Sequence, residues 1–334
     1  MSTRADGPIR WGVIGATSWQ ARAAVLPAMR ESPLAEIVAV GSRDADAARR
    51  VALATGARRA HGSYEAVLED PEVEAVYIPL PNGLHRRWTE RAAAARLHVL
   101  CEKPLGCTGD DVRAMHSACG EAGVRLLEAW TTAFHPRHRA AVEIARGGEL
   151  GELRSMRSVF TFPLSDAANH RWMPGMGGGV LLDVGVHCLT PLLEVAGRPP
   201  LRVAAAGTRG GDGVDATLHG WLDFGGGLVA TVECSFEAPE RQLLEVAGTE
   251  AVLTVDRPFT AGPADTAMRM VHRDGSVEMR RSSALNAHRV MVDAACAELR
   301  GPAENGSRFR AAADIVGVAA LCDRLRAAAW EPDA

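Results

Sequence analysis

Over the first 130 residues, short apolar runs alternate with helix-like stretches. WGVIGA (11–16) precedes a helix-like segment from about 18 to 31, and EIVAVGS (36–42) precedes DADAARRVALATG. The charged helical stretch SYEAVLED leads to AVYIPLP (75–81). HRRWTERAAAARL (85–97) leads to HVLCEKP (98–104), and DDVRAMHSACGEAG (110–123) to RLLEAW (125–130). Near-continuous apolar strands separated by helices predict a parallel sheet covered on both faces.

After about residue 150 the pattern changes. LRSMRSVFTF, RVAAAGTR, ATLHGWLDF, GLVATVECSFEA, QLLEVAG and AVLTVDR are β-like runs separated by glycines or turn residues. Several alternate apolar with polar positions, as a sheet with one covered face does, so a large open, mostly antiparallel sheet is predicted. A helical stretch interrupts it at 180–197, and two helices close the chain near 286–300 and 309–330. The chain reads as α/β, with a dinucleotide-binding domain at 8–130 and an α+β substrate-binding and oligomerisation domain at 131–330.

Composition narrows the function classes. The 334 residues are 47% hydrophobic and 23% charged with a net charge of −4, so no basic field points to nucleic acid. No run of about 18 apolar residues suggests a membrane span, and MSTRADGPIR has no apolar core of a secretory signal. Seven scattered cysteines without a CxxC pair read as reduced thiols, which leads us to expect a cytoplasmic protein.

The first strand–helix turn is Gly15-Ala16-Thr17-Ser18-Trp19-Gln20. Of the G-x-G-x-x-G fingerprint only the first glycine is present, with Thr17 and Gln20 at the other two positions. A short backbone, a helix N-terminus and small hydroxyls still suit a pyrophosphate. The second strand ends at Ser42-Arg43, where an acidic residue would select NAD(H). A serine and an arginine there suit a 2′-phosphate instead, which favours NADP(H) over NAD(H), with Asp44 as the competing ribose partner.

Several pieces in order carry a resemblance. They are the Gly15 turn, Pro79-Leu80-Pro81-Asn82 with His85 behind it, Glu102-Lys103-Pro104, EAWTTAFHP (128–136), and Gly177-Gly178-Gly179 followed by Asp183 and His187. Together they resemble the glucose–fructose oxidoreductase / inositol dehydrogenase (Gfo/Idh/MocA) family of NAD(P)-dependent sugar and polyol oxidoreductases. The resemblance spans nearly the whole chain. Within that family the chain is similar to NADPH-dependent sugar 3-ketoreductases of deoxysugar biosynthesis and to dihydrodiol/xylose dehydrogenases.

The resemblance implies hydride transfer between a nicotinamide and a sugar carbon. Lys103 would polarise the carbonyl, His187 would exchange the proton, with an unperturbed pKa of about 6.5, with Lys103 as the rival proton donor, and Asp183 would bind substrate or orient the pair. Asp183 and His187 are four apart, so a regular helix would place them on one face. Ala16, Thr17, Ser18, Trp19, Ser42, Arg43, Leu80, Pro81, Asn82, His85, Glu102, Arg171 and Trp172 join Gly15 and Lys103 as cofactor contacts. In the deoxysugar ketoreductases a tyrosine can stand at the position of His187, so the histidine resembles the polyol dehydrogenases.

Other readings compete. Arg171-Trp172 could equally be a loop pair packed at a junction, and Trp130 reads most simply as aromatic packing against the substrate domain. His135 and His138 form an HxxH, but Pro136 behind His135 marks a helix start and no third ligand follows, so no metal is expected. Arg137, Arg139, Arg154, Arg157 and Arg171 are candidates for a substrate diphosphate. The expected function is reduction of a keto-sugar, possibly nucleotide-linked. Its rivals are oxidation of a free sugar, cyclitol or dihydrodiol, a non-catalytic nucleotide-sensing regulator, and glycoside cleavage by transient oxidation. The sheet's uncovered face leads us to expect a homodimer or homotetramer.

Overall fold

The computed structural model describes residues 7–301 and 307–330. They gather into two compact units. The first takes residues up to 106, 110–131 and 287–312; the second takes 107–109, 132–286 and those from 313 onward.

In the first unit six strands are β1 (Ile9–Ile14), β2 (Ala35–Gly41), β3 (Arg59–His61), β4 (Ala75–Ile78), β5 (His98–Glu102) and β6 (Leu126–Ala129). All neighbours run parallel, in the order β3-β2-β1-β4-β5-β6. The apolar strands are buried as their sequences require: Val13, Ile14, Val38, Val40, Val76, Ile78, Val99 and Leu100 are all inaccessible. Helices α1 (Leu26–Glu31), α2 (Ala45–Thr55), α3 (Tyr64–Leu68), α4 (His85–Ala94) and α5 (Gly109–Ala122) connect them. The strand order reverses between β1 and β4, and the carboxyl ends of strands at such a switch point form the ligand edge of an open α/β sheet. Gly15 follows β1 and Leu80 follows β4 at that edge.

Two local expectations changed. The helix expected at 18–31 opens as a wide π turn, Ala21–Val25, before α1. Pro27 lies in the first turn of α1 and has no N–H to give, so the ladder cannot run through it unbroken. The three-residue β3 escaped the pattern because it is short and half-buried.

The second unit holds α6 (Pro136–Arg146), α7 (Val186–Ala196) and an eight-stranded sheet. Its strands are β7 (Leu153–Thr161), β8 (Arg202–Gly210), β9 (Val214–Gly225), β10 (Leu228–Ser235), β11 (Arg241–Gly248), β12 (Ala251–Asp256), β13 (Ala267–His272) and β14 (Val277–Arg281). The order is β14-β13-β12-β11-β7-β10-β9-β8, antiparallel except that β7 and β10 run parallel. Alternate residues such as Leu218, Leu222, Ala230, Val232, Leu244, Val246 and Leu253 build one core with α7 and with the last helix, α9 (Ala312–Trp330). β13 and β14 were not predicted; β14 is an edge strand, and its charged alternation conceals it.

Residues Pro174–Ala196 pass the length and hydropathy test for a membrane span, with a mean hydropathy of 1.5. Most of that window is buried, so its apolarity serves the core of this unit. α8 (Ala287–Arg300) belongs to the first unit and packs there on α1 and β2. Its buried residues Ala287, Met291, Ala295 and Leu299 recur at helical spacing and form that face.

Candidate active site

At the ligand edge of the first unit, Gly15 has φ +80°, and a Cβ there would lie 2.5 Å from Leu80 Cδ2. Only glycine lets the turn after β1 press onto the loop after β4. The N–H groups of Gly15 and Ala16 both donate to Gly41 O, and the Ser18 hydroxyl accepts from Ala21 N–H. Trp19 is 78% exposed beside this turn. After β2, Ser42 is buried and its hydroxyl accepts from Asp44 N–H. Asp44 is itself the N-cap of α2, accepting from the N–H groups of Asp46 and Ala47, and these bonds lower its pKa. Arg43 remains at the surface, and its charge works against the burial that raises the Tyr64 pKa.

The Lys103 turn is braced from beneath. Glu102 is buried and accepts from Tyr77 Oη–H at 2.6 Å; burial pushes its pKa up to about 6. Lys103 is half-buried, and its own backbone N–H donates to Glu102 Oε2 at 3.3 Å. Glu128 on β6 accepts Leu105 N–H at 3.1 Å and pairs with the Arg310 guanidinium, which lies 4.7 Å above the Trp130 ring. His85, wholly buried, reaches Pro104 O with Nδ1 at 2.9 Å and Leu80 O with Nε2 at 2.7 Å. It thus ties the loop after β4 to the turn after Lys103. Burial lowers its pKa while the two carbonyls pull the other way.

In the second unit the glycine run leads into a π turn, Leu181–Gly185, and then α7. Four residues therefore do not amount to one regular helical turn between Asp183 and His187, and the expected shared face loses its simple geometric basis. Asp183 is buried and receives Arg171 Nε–H at 2.7 Å. His187 is half-buried, with Nδ1 3.4 Å from Thr132 Oγ1 and its ring 5.8 Å from both Phe160 and Phe259.

Residues 9–129 match the oxidoreductase family with an NAD-binding Rossmann fold, and residues 138–254 match the GFO/IDH/MocA C-terminal domain. The chain belongs to this family. An NADP(+)-dependent D-xylose 1-dehydrogenase of Haloferax volcanii is 38% identical over 85% of this chain and 87% of its own length. A dTDP-3,4-didehydro-2,6-dideoxy-alpha-D-glucose 3-reductase of Streptomyces antibioticus is 34% identical over 96% and 97%. Among solved structures, a 3-ketoreductase from Actinomadura kijaniata in complex with NADP and TDP-benzene superposes with a TM-score of 0.89 at 29% identity, covering 97% of this chain and 98% of that one.

Within this Gfo/Idh/MocA chain the structure redistributes several expected roles. Gly15, Ala16, Thr17, Ser18, Trp19, Ser42, Arg43, Leu80, Pro81, Asn82, Glu102 and Lys103 follow β1, β2, β4 and β5 at one sheet edge or end those strands. His85 lies behind that edge as a brace. Arg171 and Trp172 fall in the second unit, where Arg171 is committed to Asp183, and Trp172 packs edge-on against Phe236, ring centroids 5.2 Å apart. Trp130 packs under Arg310 within the first unit. Of the arginines considered for a diphosphate, Arg137 is buried and donates to the carbonyls of Arg257 and Ala267, while Arg154 and Arg157 pair with Glu152 and Glu233. His135 caps α6, and His138 pairs with Glu194. Sequence reasoning passed over Tyr77, Thr132, Asp215, Arg310 and Arg326, and assigned no role to Glu128. Only Glu128 carried a visible signal, a carboxylate inside an otherwise apolar strand.

Proposed function

We propose that this oxidoreductase uses NADP(H) and transfers a hydride between the nicotinamide and a sugar carbon, acting as a reductase of a nucleotide-linked keto-sugar. The carrying observation is the pair Arg43 and Asp44. The only acid directly after β2 is spent on capping α2, while the neighbouring guanidinium stands at the surface. That arrangement fits a 2′-phosphate better than a bare ribose diol. The near full-length similarity to a nucleotide-sugar 3-reductase, and the NADP in a related 3-ketoreductase structure, support the same reading.

NADP(H) supplies the hydride when bound. The chain's own residues do the rest. Gly15 and the helix start behind it receive the pyrophosphate, and Ser42 and Arg43 hold the 2′-phosphate. Lys103 stabilises negative charge on the substrate oxygen. His187 exchanges its proton, its ring packed beside the stacked pair Phe160 and Phe259, and Asp183 with Arg171 orients the sugar. The protein works in the cytoplasm on a small-molecule sugar or nucleotide sugar. It pairs through the uncovered face of the second unit's sheet, where Trp221 is 38% exposed.

One observation favours a second reading. A histidine at 187 is the residue of the polyol dehydrogenases, and the D-xylose dehydrogenase relative oxidises a free sugar by its name. Titration with NADPH and NADH, repeated with Arg43→Ala, tests the cofactor. We expect NADPH to bind more tightly and to lose about 10- to 100-fold in the variant, as for a charged hydrogen bond, with NADH unmoved. Turnover of a dTDP-keto-sugar with NADPH against D-xylose with NADP+ then separates the two substrates.

A further inference from the structure

Behind the glycine run lies a buried ion pair that the proposed chemistry does not use. Asp215 is the second residue of β9 and is 5% exposed. Its Oδ2 accepts Leu181 N–H at 2.7 Å, and its Oδ1 pairs with Arg326 of α9 at 3.0 Å. A Cβ on Gly179 would lie 2.4 Å from the same Oδ1, and Gly179 has φ +108°. The carboxylate therefore occupies the space a side chain would need, and it holds the first free N–H of the site helix.

Three bonds then run from Gly179 to the site. Gly179 N–H donates to Arg171 O at 2.9 Å, Asp183 N–H donates to Gly179 O at 3.2 Å, and Arg171 Nε–H returns to Asp183 Oδ2 at 2.7 Å. This closed circuit fixes both the backbone and the carboxylate of Asp183. It is pinned on either side of Val180, at Gly179 and at Leu181, by Asp215. The π turn from Leu181 to Gly185 runs directly into α7, of which His187 is the second residue.

We infer that Asp215 and Arg326 are positioning residues. They fix the start of the helix that carries Asp183 and His187, so the Arg171–Asp183 pair meets substrate in one orientation. The inference rests on the proposed function for its kinetic consequence, but not for the geometry. Arg326 matters because its guanidinium pairs with Asp215 Oδ1 and so holds the carboxylate at one rotamer, close to the fully buried Cys234 and Cys322.

The test uses Asp215→Asn and Arg326→Lys in the full chain. We expect kcat to fall about 10- to 100-fold in Asp215→Asn, the size of effect misplacement of a reacting group produces, while the NADPH dissociation constant stays unchanged. Arg326→Lys, which keeps the charge, should retain kcat within a few-fold. Hydrogen exchange should show faster exchange across residues 179–190 in Asp215→Asn, with β1 and β5 as protected as in the wild type. Wild-type kcat together with wild-type exchange in a folded Asp215→Asn would overturn the inference. So would a parallel loss of NADPH binding, which would mark a general structural defect. If Asp215→Asn does not fold, Arg326→Gln takes its place in both measurements. Should the wild type turn over no sugar with either cofactor, the functional reading fails alone, and the exchange measurement still decides the positioning role.

Discussion

The two units hold their reactive side chains by different means. In the first, Lys103 directly follows a buried parallel strand, and what steadies it lies on neighbouring strands and their loops: Tyr77 on β4, Glu102 on β5, Glu128 on β6 and His85 after β4. In the second, Asp183 and His187 ride on an irregular helix start. Its anchors, Asp215 and Arg326, come from a distant strand and the last helix. A strand end inherits precision from a sheet already locked by its ladder. A helix start has unsatisfied N–H groups and must import its acceptor.

The largest expected effect breaks the brace in the first unit. Glu128→Ala strands the Arg310 charge, whose side chain is only 9% exposed, and should cost about 3–5 kcal/mol of stability in denaturant unfolding. Asp215→Ala is the counterpart in the second unit. Arg326 keeps 28% of its side chain in solvent, so about 1–3 kcal/mol is expected there. Equal losses would mean that the two bracing schemes do not differ in strength.

Lys103→Met should reduce kcat about 100- to 1000-fold, the loss usual for one group that stabilises developing negative charge, with little change in NADPH affinity. A variant that keeps most of its turnover in steady-state assays would remove Lys103 from the chemistry.

Glu102 gives the pH dependence. Its folded pKa, raised by burial to about 6, exceeds the usual value of 4.5, so the folded state holds the proton more strongly. Stability from this group is complete below pH 4.5 and is lost as the pH rises through about 6, amounting to about 2 kcal/mol for a shift of that size. Melting curves from pH 4 to 8 should show this falling component in the wild type, and Glu102→Gln should lack it. An identical slope in the variant would place the titration elsewhere.

The smallest effect sharpens the role of His187. Thr132→Val removes the 3.4 Å contact to Nδ1 and should shift the pH profile of kcat/KM while changing its maximum by less than about 10-fold. An unshifted profile would show that Thr132 does not select the His187 tautomer.

Much of this was legible along the chain. The strands of the first unit announce themselves because both faces of a parallel sheet are buried and every position must be apolar. Lys103 could be singled out because a cation at the end of such a strand has no packing reason to be there. β3 and β14 were not legible, being a three-residue strand and a charged edge strand whose own residues need little burial. The π turns were hidden for another reason. One lies directly before Pro27, which interrupts the ladder, and the other starts at Leu181, whose N–H is held by a carboxylate at residue 215 that no local pattern connects to residues 179–181.

By itself, then, the sequence determined the alternation of strands and helices, the order of the motifs, and which side chains stand at strand ends. These depend on periodicity and on residue type within a few positions. The tertiary structure alone decided that Arg171 serves Asp183, that His85 joins two loops, that Trp172 belongs to the second unit's core, and that Asp215 holds the glycine run. Each is a bond or packing contact between residues brought together only by folding, and burial, which gives such a contact its strength, is a property of the packed chain.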